Sequence, residues 1–339
     1  MSKDINILFT SVGRRSYLIK YFREALGGMD KIYATNSIEH STAFKYVDDH
    51  AVSPLIYSDE YIPFLLECCK KWDITAIISL FDIDLMVLAK NRDRFEEIGV
   101  KVIVSDTEVI DKCNDKWHTY NYLNEIGIKA PRTYIDLSVA INDLAQGIVS
   151  YPVMIKPRWG MGSLAIFEAD NEEELKIFYE KSKKEIKNSY LKYEAEYDFD
   201  KCVLIQEKIK GQEYGLDIIN DLDGNYINTI VKKKMGMRSG ETDCAVTVDD
   251  ERIKEIGKKI SDNLKHIANL DTDIFVTEDD IYVLEMNARF GGGYPFSHIA
   301  GVDLPKAIVS WLSGENIDVN LLTAKPGILA QKEIEITTL

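Results

Sequence analysis

Apolar and polar positions alternate with period two in Asp271-Thr-Asp-Ile-Phe-Val-Thr277 and again in Ile281-Tyr-Val-Leu-Glu-Met-Asn287. With the polar Glu278-Asp279-Asp280 as a short loop between them, the pattern predicts a β-hairpin. Centring the loop on Asp279 pairs Asp273 with Glu285 and Asp271 with Asn287, and places Thr272, Ile274, Val276, Tyr282, Leu284 and Met286 on the core face. Opposed acids on one sheet face repel, so a positive group is expected between them. A hard cation such as Mg2+ suits these oxygen ligands with Asn287, and Arg289 adds a fixed charge for a phosphate. A solvated acidic hairpin balanced by Arg289 is the alternative on this segment alone.

Earlier in the chain the pattern changes. A buried strand at Ile5–Ser11 precedes an amphipathic helix at about 14–26. Strands at about 31–35, 76–80 and 100–104 alternate with helices at about 61–72 and 84–97. This alternation predicts a parallel, helix-covered, Rossmann-like α/β unit. Its first loop, Ser11-Val-Gly-Arg-Arg-Ser16, has one glycine where a dinucleotide fingerprint needs three, which argues against a nicotinamide enzyme. Asp82 and Asp84 follow a strand end and read as helix-capping acids.

A second unit starts with a helix from Asp111 to Gly127. Tyr151-Pro-Val-Met-Ile-Lys156 is a strand. The loop after it contains Gly160 and Gly162, which suit either a close approach to phosphate or a tight turn. A charged helix at about 172–187 precedes an aromatic, acidic, aperiodic run, Tyr190 to Asp200, which reads as a mobile loop. Two strands joined near Gly211, a third at 226–234, a helix at about 248–268 capped by Asp249, the hairpin and a helix at about 304–313 complete the pattern.

Composition adds limits. The chain of 339 residues is 45% hydrophobic and 29% charged, enough for two or three packed units. A formal net charge of −15 has the wrong sign for nucleic acid or an anionic membrane, and no run is apolar enough to span one. Five cysteines without a CxxC motif fit reduced thiols, so a soluble cytoplasmic protein is expected. Lys232-Lys-Lys234, the one dense basic run, reads as a solvated strand end unless the fold turns it inward, and the five histidines are scattered and read as structural or exposed.

Asp115-Lys116, Val153-Met-Ile-Lys156-Pro, Arg158-Trp-Gly-Met-Gly-Ser163, Gln206-Glu-Lys-Ile209 with Glu213, and Glu285-Met-Asn-Ala-Arg289 occur in this order. Together they resemble the ATP-grasp superfamily, in the branch similar to the synthetase units of the carbamoyl-phosphate synthase large subunit, over nearly the whole chain. The resemblance implies an α/β fold with a Rossmann-like pre-ATP-grasp domain, residues 1–112. A two-lobed ATP-grasp domain would follow at 113–325, with a mobile lid at about 131–200. It implies that Lys116 and Lys156 reach nucleotide phosphates and that Arg158, Gly160, Gly162 and Ser163 fold over them. Glu207, Lys208 and Ile209 would form the adenine hinge, and Glu213 would hold the ribose. Asp273, Glu285 and Asn287 would bind Mg2+, or Mn2+ in its place. Lys156 and Arg289 would stabilise the transferred phosphoryl. Ala288 stands where many relatives have proline, and the glycine loop lacks a further glycine after Ser163.

The implied activity is ATP-dependent ligation: a carboxylate becomes an acylphosphate and is joined to an amine, with ADP and phosphate released. The alternatives are phosphorylation of bicarbonate or carbamate, and a non-catalytic ATP-binding regulator. The expected partners are a small-molecule carboxylate and amine, with a homodimer left open. Lys234-Met-Gly-Met-Arg238-Ser-Gly-Glu241-Thr242 resembles a Gly-Glu-Thr segment of the same branch, and Arg238 and Glu241 are assigned to substrate recognition.

Overall fold

The computed structural model describes residues 4–28, 30–160 and 164–339. The N-terminal sheet is parallel, in the order β3-β2-β1-β4-β5, with β1 Asn6–Thr10, β2 Lys31–Asn36, β3 Asp49–Val52, β4 Ala76–Ser79 and β5 Lys101–Ile103. Its central strands β1 and β4 are buried nearly throughout because helices cover both faces. The sequence pattern missed β3, a short edge strand with little buried surface.

Asp82 and Asp84, expected as caps, do other work. Asp84 is fully enclosed and accepts hydrogen bonds from the hydroxyls of Thr10, Ser11, Ser79 and Tyr61. Asp82 leaves its own unit altogether and pairs with Arg289.

A four-stranded sheet follows, ordered β6-β9-β7-β8, with β6 Thr133–Tyr134, β7 Val153–Pro157, β8 Phe167–Ala169 and β9 Val203–Glu207. The helix Glu172–Lys187 packs on it and gives it its own core, which includes Val153, Ile155, Leu175 and Ile205. The third sheet has six strands in the order β14-β13-β10-β11-β12-β15. These are β10 Gln212–Asn220, β11 Tyr226–Arg238, β12 Glu241–Val248, β13 Asn269–Val276, β14 Ile281–Asn287 and β15 Leu329–Gln331. Its helix, Glu251–Leu264, is capped by Asp250 rather than Asp249, because the Asp250 carboxylate accepts from the N–H of Arg252.

The lysine run turns inward. Lys232 is 2% exposed and pairs with Asp217, which also receives the hydroxyl of Ser297. β11 also runs four residues beyond its expected end, to Arg238, where Ser239 and Gly240 turn with positive φ into β12.

In the hairpin, Asp273 faces Glu285 and Asp271 faces Asn287, the expected register. A bulge beyond Asp273 then shifts the pairing, so Ile274 faces Val283. Val283 is therefore buried with Thr272, Ile274 and Met286, while Tyr282 and Leu284, expected in the core, are half-exposed.

Candidate functional site

Asp115 interrupts the helix expected over Asp111–Gly127. Its extended backbone ends the helix Thr107–Asn114, and its carboxylate accepts from the N–H groups of Trp117 and His118 to cap the next helix, Lys116–Glu125. The break puts Lys116 at a helix start, facing the loop after β7. Its main-chain N–H donates to the Arg158 carbonyl at 3.1 Å, and its Nζ donates to the Gly160 carbonyl at 2.6 Å.

Lys156 points from β7 into the molecule and is 6% exposed. Its Nζ donates to Oε1 of Gln206 on β9 at 2.7 Å, and the Gln206 amide nitrogen donates to Thr133 at 2.9 Å. Among the described residues no carboxylate pairs with it. Burial, and secondarily the charge of Lys116, bring its pKa down to about 7 against a weaker pull from Glu285.

Arg158 is placed differently from the expectation that it covers phosphate. It is 8% exposed; its Nε lies 2.9 Å from both oxygens of Asp115, and another guanidinium nitrogen lies 2.7 Å from one of them. Asp198 approaches the same guanidinium at 3.4 Å. A fork engaged in this way fastens the loop to the capped helix. Gly160 has φ +112°, and a Cβ there would come within 2.5 Å of a Leu191 methyl, so the position requires glycine. Gly162 and Ser163 lie outside the described residues.

The run Tyr190–Asp200, expected as a mobile loop, is packed. It contains the short helix Lys192–Ala195, buries Leu191 and Ala195, and stacks Tyr193 on Tyr57 of the N-terminal unit with centroids 4.4 Å apart. Its Glu194 enters a cleft lined also by Asp82, Asn114, Lys116, Gly160, Glu285 and Asn287. Oε2 of Glu194 is buried with no hydrogen-bond partner among the described residues. Burial, with the charges of Asp82 and Asp115, pushes this acid up to about 7 against the pull of Lys116.

The hairpin forms the other wall. Glu285 and Asn287 line the cleft, but Asp273, expected with them, lies 2.8 Å from Nζ of Lys234. Lys234 also donates to Glu213, the expected ribose ligand, at 2.6 Å. The positive group expected beside these acids is thus Lys234. Although burial works against its charge, Asp273 and Glu213 hold its pKa above the ordinary lysine value. Arg289 is engaged as well, with Nε 3.1 Å from Asp82 and Nη1 2.9 Å from Asp271. Burial alone would lower its pKa, but Asp82 and Asp271 raise it. Gly291 admits this arrangement, because a Cβ there would overlap the Asp271 carboxylate.

Among the described residues no group of three or more His, Cys, Asp or Glu is placed to hold a metal. The donor set of Glu285 and Asn287 still fits Mg2+, which takes one or two carboxylates and completes its shell with phosphate and water. Asp273 fits least well, because one of its oxygens is engaged by Lys234.

Glu207 ends β9, with Oε2 accepting from the Arg132 N–H at 3.1 Å, and Lys208 and Ile209 continue between β9 and β10. Lys208 reaches Glu168 at 2.6 Å. At the β11–β12 turn, Arg238 pairs with Asp243 at 3.0 Å, whereas Glu241 turns toward Gly292 and Lys332. The two residues assigned together to a substrate therefore face different neighbours.

Sequence reasoning missed the places of Glu194 and Lys234 and the bridge from Asp82 to Arg289. For Lys234 a signal existed: a lysine run that directly continues the apolar Ile230-Val231 of a strand calls for acids beside it if the strand is buried. The other two depend on pairings between distant segments.

A family model described as an ATP-grasp domain matches residues 113–293, and one described as a PylC-like N-terminal domain matches residues 7–103. The carbamoyl phosphate synthase large chain of Pseudothermotoga lettingae is 23% identical over 241 residues, 68% of this chain and 21% of that one. The same large chain from Campylobacter jejuni is 24% identical over 63% of this chain and 19% of its own length. This chain therefore spans about a fifth of these relatives. Among solved structures, biotin carboxylase from Campylobacter jejuni superposes with a TM-score of 0.73 at 17% identity, covering 95% of this chain and 74% of that one. L-amino acid ligase from Bacillus licheniformis gives 0.71 at 15% identity, covering 96% and 79%. These structures share the fold. Because the ATP-grasp model spans more than half of its length, the chain belongs to the ATP-grasp family.

Proposed function

We propose that the protein is an ATP-dependent ligase that activates a carboxylate as an acylphosphate and joins it to an amine. One observation carries the reading: Lys156 is a buried cation with a neutral amide as its partner, beside Lys116 and across from Glu285. A buried charge without a counter-ion is costly unless an anion completes the site, and a polyphosphate is the anion that two lysines and a glycine-bearing loop suit. Mg2+ held by Glu285 and Asn287 would neutralise charge on the phosphate oxygens when bound.

The chain's own residues then have these tasks. Lys116 exchanges the Gly160 carbonyl for phosphate, and Lys156 keeps its proton once an anion lies beside it. Glu207, Lys208 and Ile209 border the base, while Glu213 on β10 lies at the start of the strand that carries the ribose edge. The substrate carboxylate attacks the γ-phosphorus, the bond to the β-phosphate oxygen breaks, and ADP leaves. The amine attacks the acyl carbon, phosphate departs, and the ammonium proton is lost. No protein nucleophile is needed; positioning and charge neutralisation carry the first step. Arg289 acts from its pairs with Asp82 and Asp271, orienting the hairpin end beside the cleft.

The four-stranded sheet with its helix is read as a lid over the nucleotide. Similarity to carbamoyl phosphate synthase large chains keeps bicarbonate as the competing carboxylate. The test is mass spectrometry of products formed from Mg-ATP with pooled amino acids and, separately, bicarbonate, with ADP release followed in parallel. ADP release that depends on an amine, with a product mass equal to acid plus amine minus water, supports ligation. Release driven by bicarbonate alone supports the competitor, and no release with any acid leaves a nucleotide-binding regulator.

A further inference from the structure

Most cations on the site side of the molecule are engaged by carboxylates, whether buried or partly exposed: Lys232 by Asp217, Lys234 by Glu213 and Asp273, Arg158 by Asp115, and Arg289 by Asp82 and Asp271. Arg15, itself partly exposed, is different. It stands just before the helix Ser16–Ala25, and its Nη1 donates to the Phe290 carbonyl at 2.8 Å. Among the described residues it has no carboxylate partner. Nη1 of Arg289 lies 3.4 Å from the same carbonyl oxygen, so two guanidinium groups from distant segments meet at one acceptor.

Like charges brought together in an enclosed place repel, and here burial and then Arg289 pull the Arg15 pKa below its ordinary value. The helix that Arg15 introduces adds to the imbalance. It has no side-chain cap and no acid in its first turn, so none of its own side chains offsets the positive end of its dipole. The Tyr17 phenol feels the same charges: burial raises its pKa, Arg15 and Arg289 lower it, and Glu241 and Asp271 raise it. Glu241, an exposed side chain, lies by Gly292, two residues from the shared Phe290 acceptor, 3.7 Å from where a Cβ on that glycine would lie, and has a long 3.4 Å contact with Lys332.

We propose that Arg15, with the open helix start behind it, binds the carboxylate of an amino-acid substrate, and that Glu241 receives its ammonium group. A guanidinium with a free edge matches a planar carboxylate, and an uncapped helix start favours the same charge. The arginine assigned to this task from sequence, Arg238, has Asp243 as its partner, which leaves Arg15 to recognise the substrate. The assignment rests on the ligase reading for its catalytic meaning, but binding can be measured without turnover.

The experiment titrates the full-length protein, saturated with Mg-ADP, with acetate, L-alanine and L-glutamate by calorimetry, for wild type, Arg15→Gln, Arg15→Lys, Glu241→Gln and the control Arg14→Gln. Arg14 is exposed on the same turn. We expect wild type to bind an amino acid more tightly than acetate. Arg15→Gln should weaken that binding at least tenfold with ADP affinity unchanged, Arg15→Lys should fall between, and Glu241→Gln should erase the preference over acetate. Absence of binding by wild type, or equal binding by Arg15→Gln, overturns the proposal. Equal binding of acetate and amino acids overturns the substrate class. ADP release from Mg-ATP with the same compounds separates this from the ligase reading. Stimulation that is unaltered in Arg15→Gln defeats only the Arg15 assignment, and binding lost in Arg15→Gln without any stimulation defeats only the ligase reading.

Discussion

Lys156 on the four-stranded sheet and Lys234 on the six-stranded sheet are both buried lysines at strand positions, yet their surroundings are opposite. Lys156 has an amide and a neighbouring lysine, whereas Lys234 lies between two carboxylates. Burial by itself therefore does not identify a ligand-binding cation. The counter-ions do: a lysine already neutralised by protein is part of the framework, and one left with excess charge is arranged for an anion that arrives later.

The largest expected effect follows from exchanging both lysines for methionine. Lys156→Met should lower turnover by about 10²–10³-fold, the scale for removing a donor that stabilises developing charge, while thermal unfolding shifts little or upward. Lys234→Met should instead lower stability by about 2–3 kcal/mol, because two half-buried acids lose their shared cation, a smaller penalty than for a fully buried pair. Thermal melts beside ADP-release rates check both, and the comparison fails if the melting penalty falls on Lys156.

The hairpin acids sharpen the same contrast. Glu285→Gln should lower turnover by about 10²-fold at fixed Mg2+ with an unchanged melt. Asp273→Asn should reduce melting temperature as well, since it weakens the contact with Lys234. Magnesium titrations of ADP release on both variants are the measurement, and near-normal rates in both would remove the metal assignment.

Proton linkage gives a smaller signal with a definite sign. In the ligand-free protein Lys156 releases its proton near pH 7, while the unfolded chain keeps it until about 10.4. The unfolded state therefore binds the extra proton in this window, and stability contributed by this group rises with pH, by up to about 1.4 kcal/mol per unit. Below pH 7 both states are protonated and the slope vanishes. ATP restores the proton, so binding at pH 8 should take up close to one proton, seen as buffer-dependent heats in calorimetry and absent in Lys156→Met.

The smallest expected change concerns packing of Tyr193 on Tyr57. An aromatic pair contributes about 0.5–1.5 kcal/mol, less where the rings are partly exposed as here. Tyr193→Ala should speed hydrogen exchange across 190–198 without affecting β7. A non-hydrolysable ATP analogue should slow exchange from Lys156 to Gly160, and unchanged protection there would count against lid closure.

The sequence made the parallel N-terminal sheet and the Asp273–Glu285 register legible because period-two and period-3.6 patterns report which face is buried. It did not disclose the bulge that exchanges Leu284 for Val283, since one extra residue leaves the local composition unchanged. Lys116, Lys156, Glu285 and Asn287 were recognisable as residues near one cleft. Arg289 balancing a hairpin acid was legible too, but its second partner Asp82, the engagement of Arg158 and the packed state of Tyr190–Asp200 were not. Each depends on a partner between 40 and 207 positions away, or on Tyr57, and no local window contains both members.

β15 has a practical consequence for handling the molecule. It zips onto β12 through Cys244, Ala245 and Val246, and the next residue, Lys332, lies against Glu241 and its main-chain N–H donates to the Asp243 carbonyl. A truncation before Leu329 would leave an antiparallel edge unpaired, a template for self-association. Loss of solubility on carboxyl-terminal trimming would therefore report an uncovered edge before it reported lost chemistry.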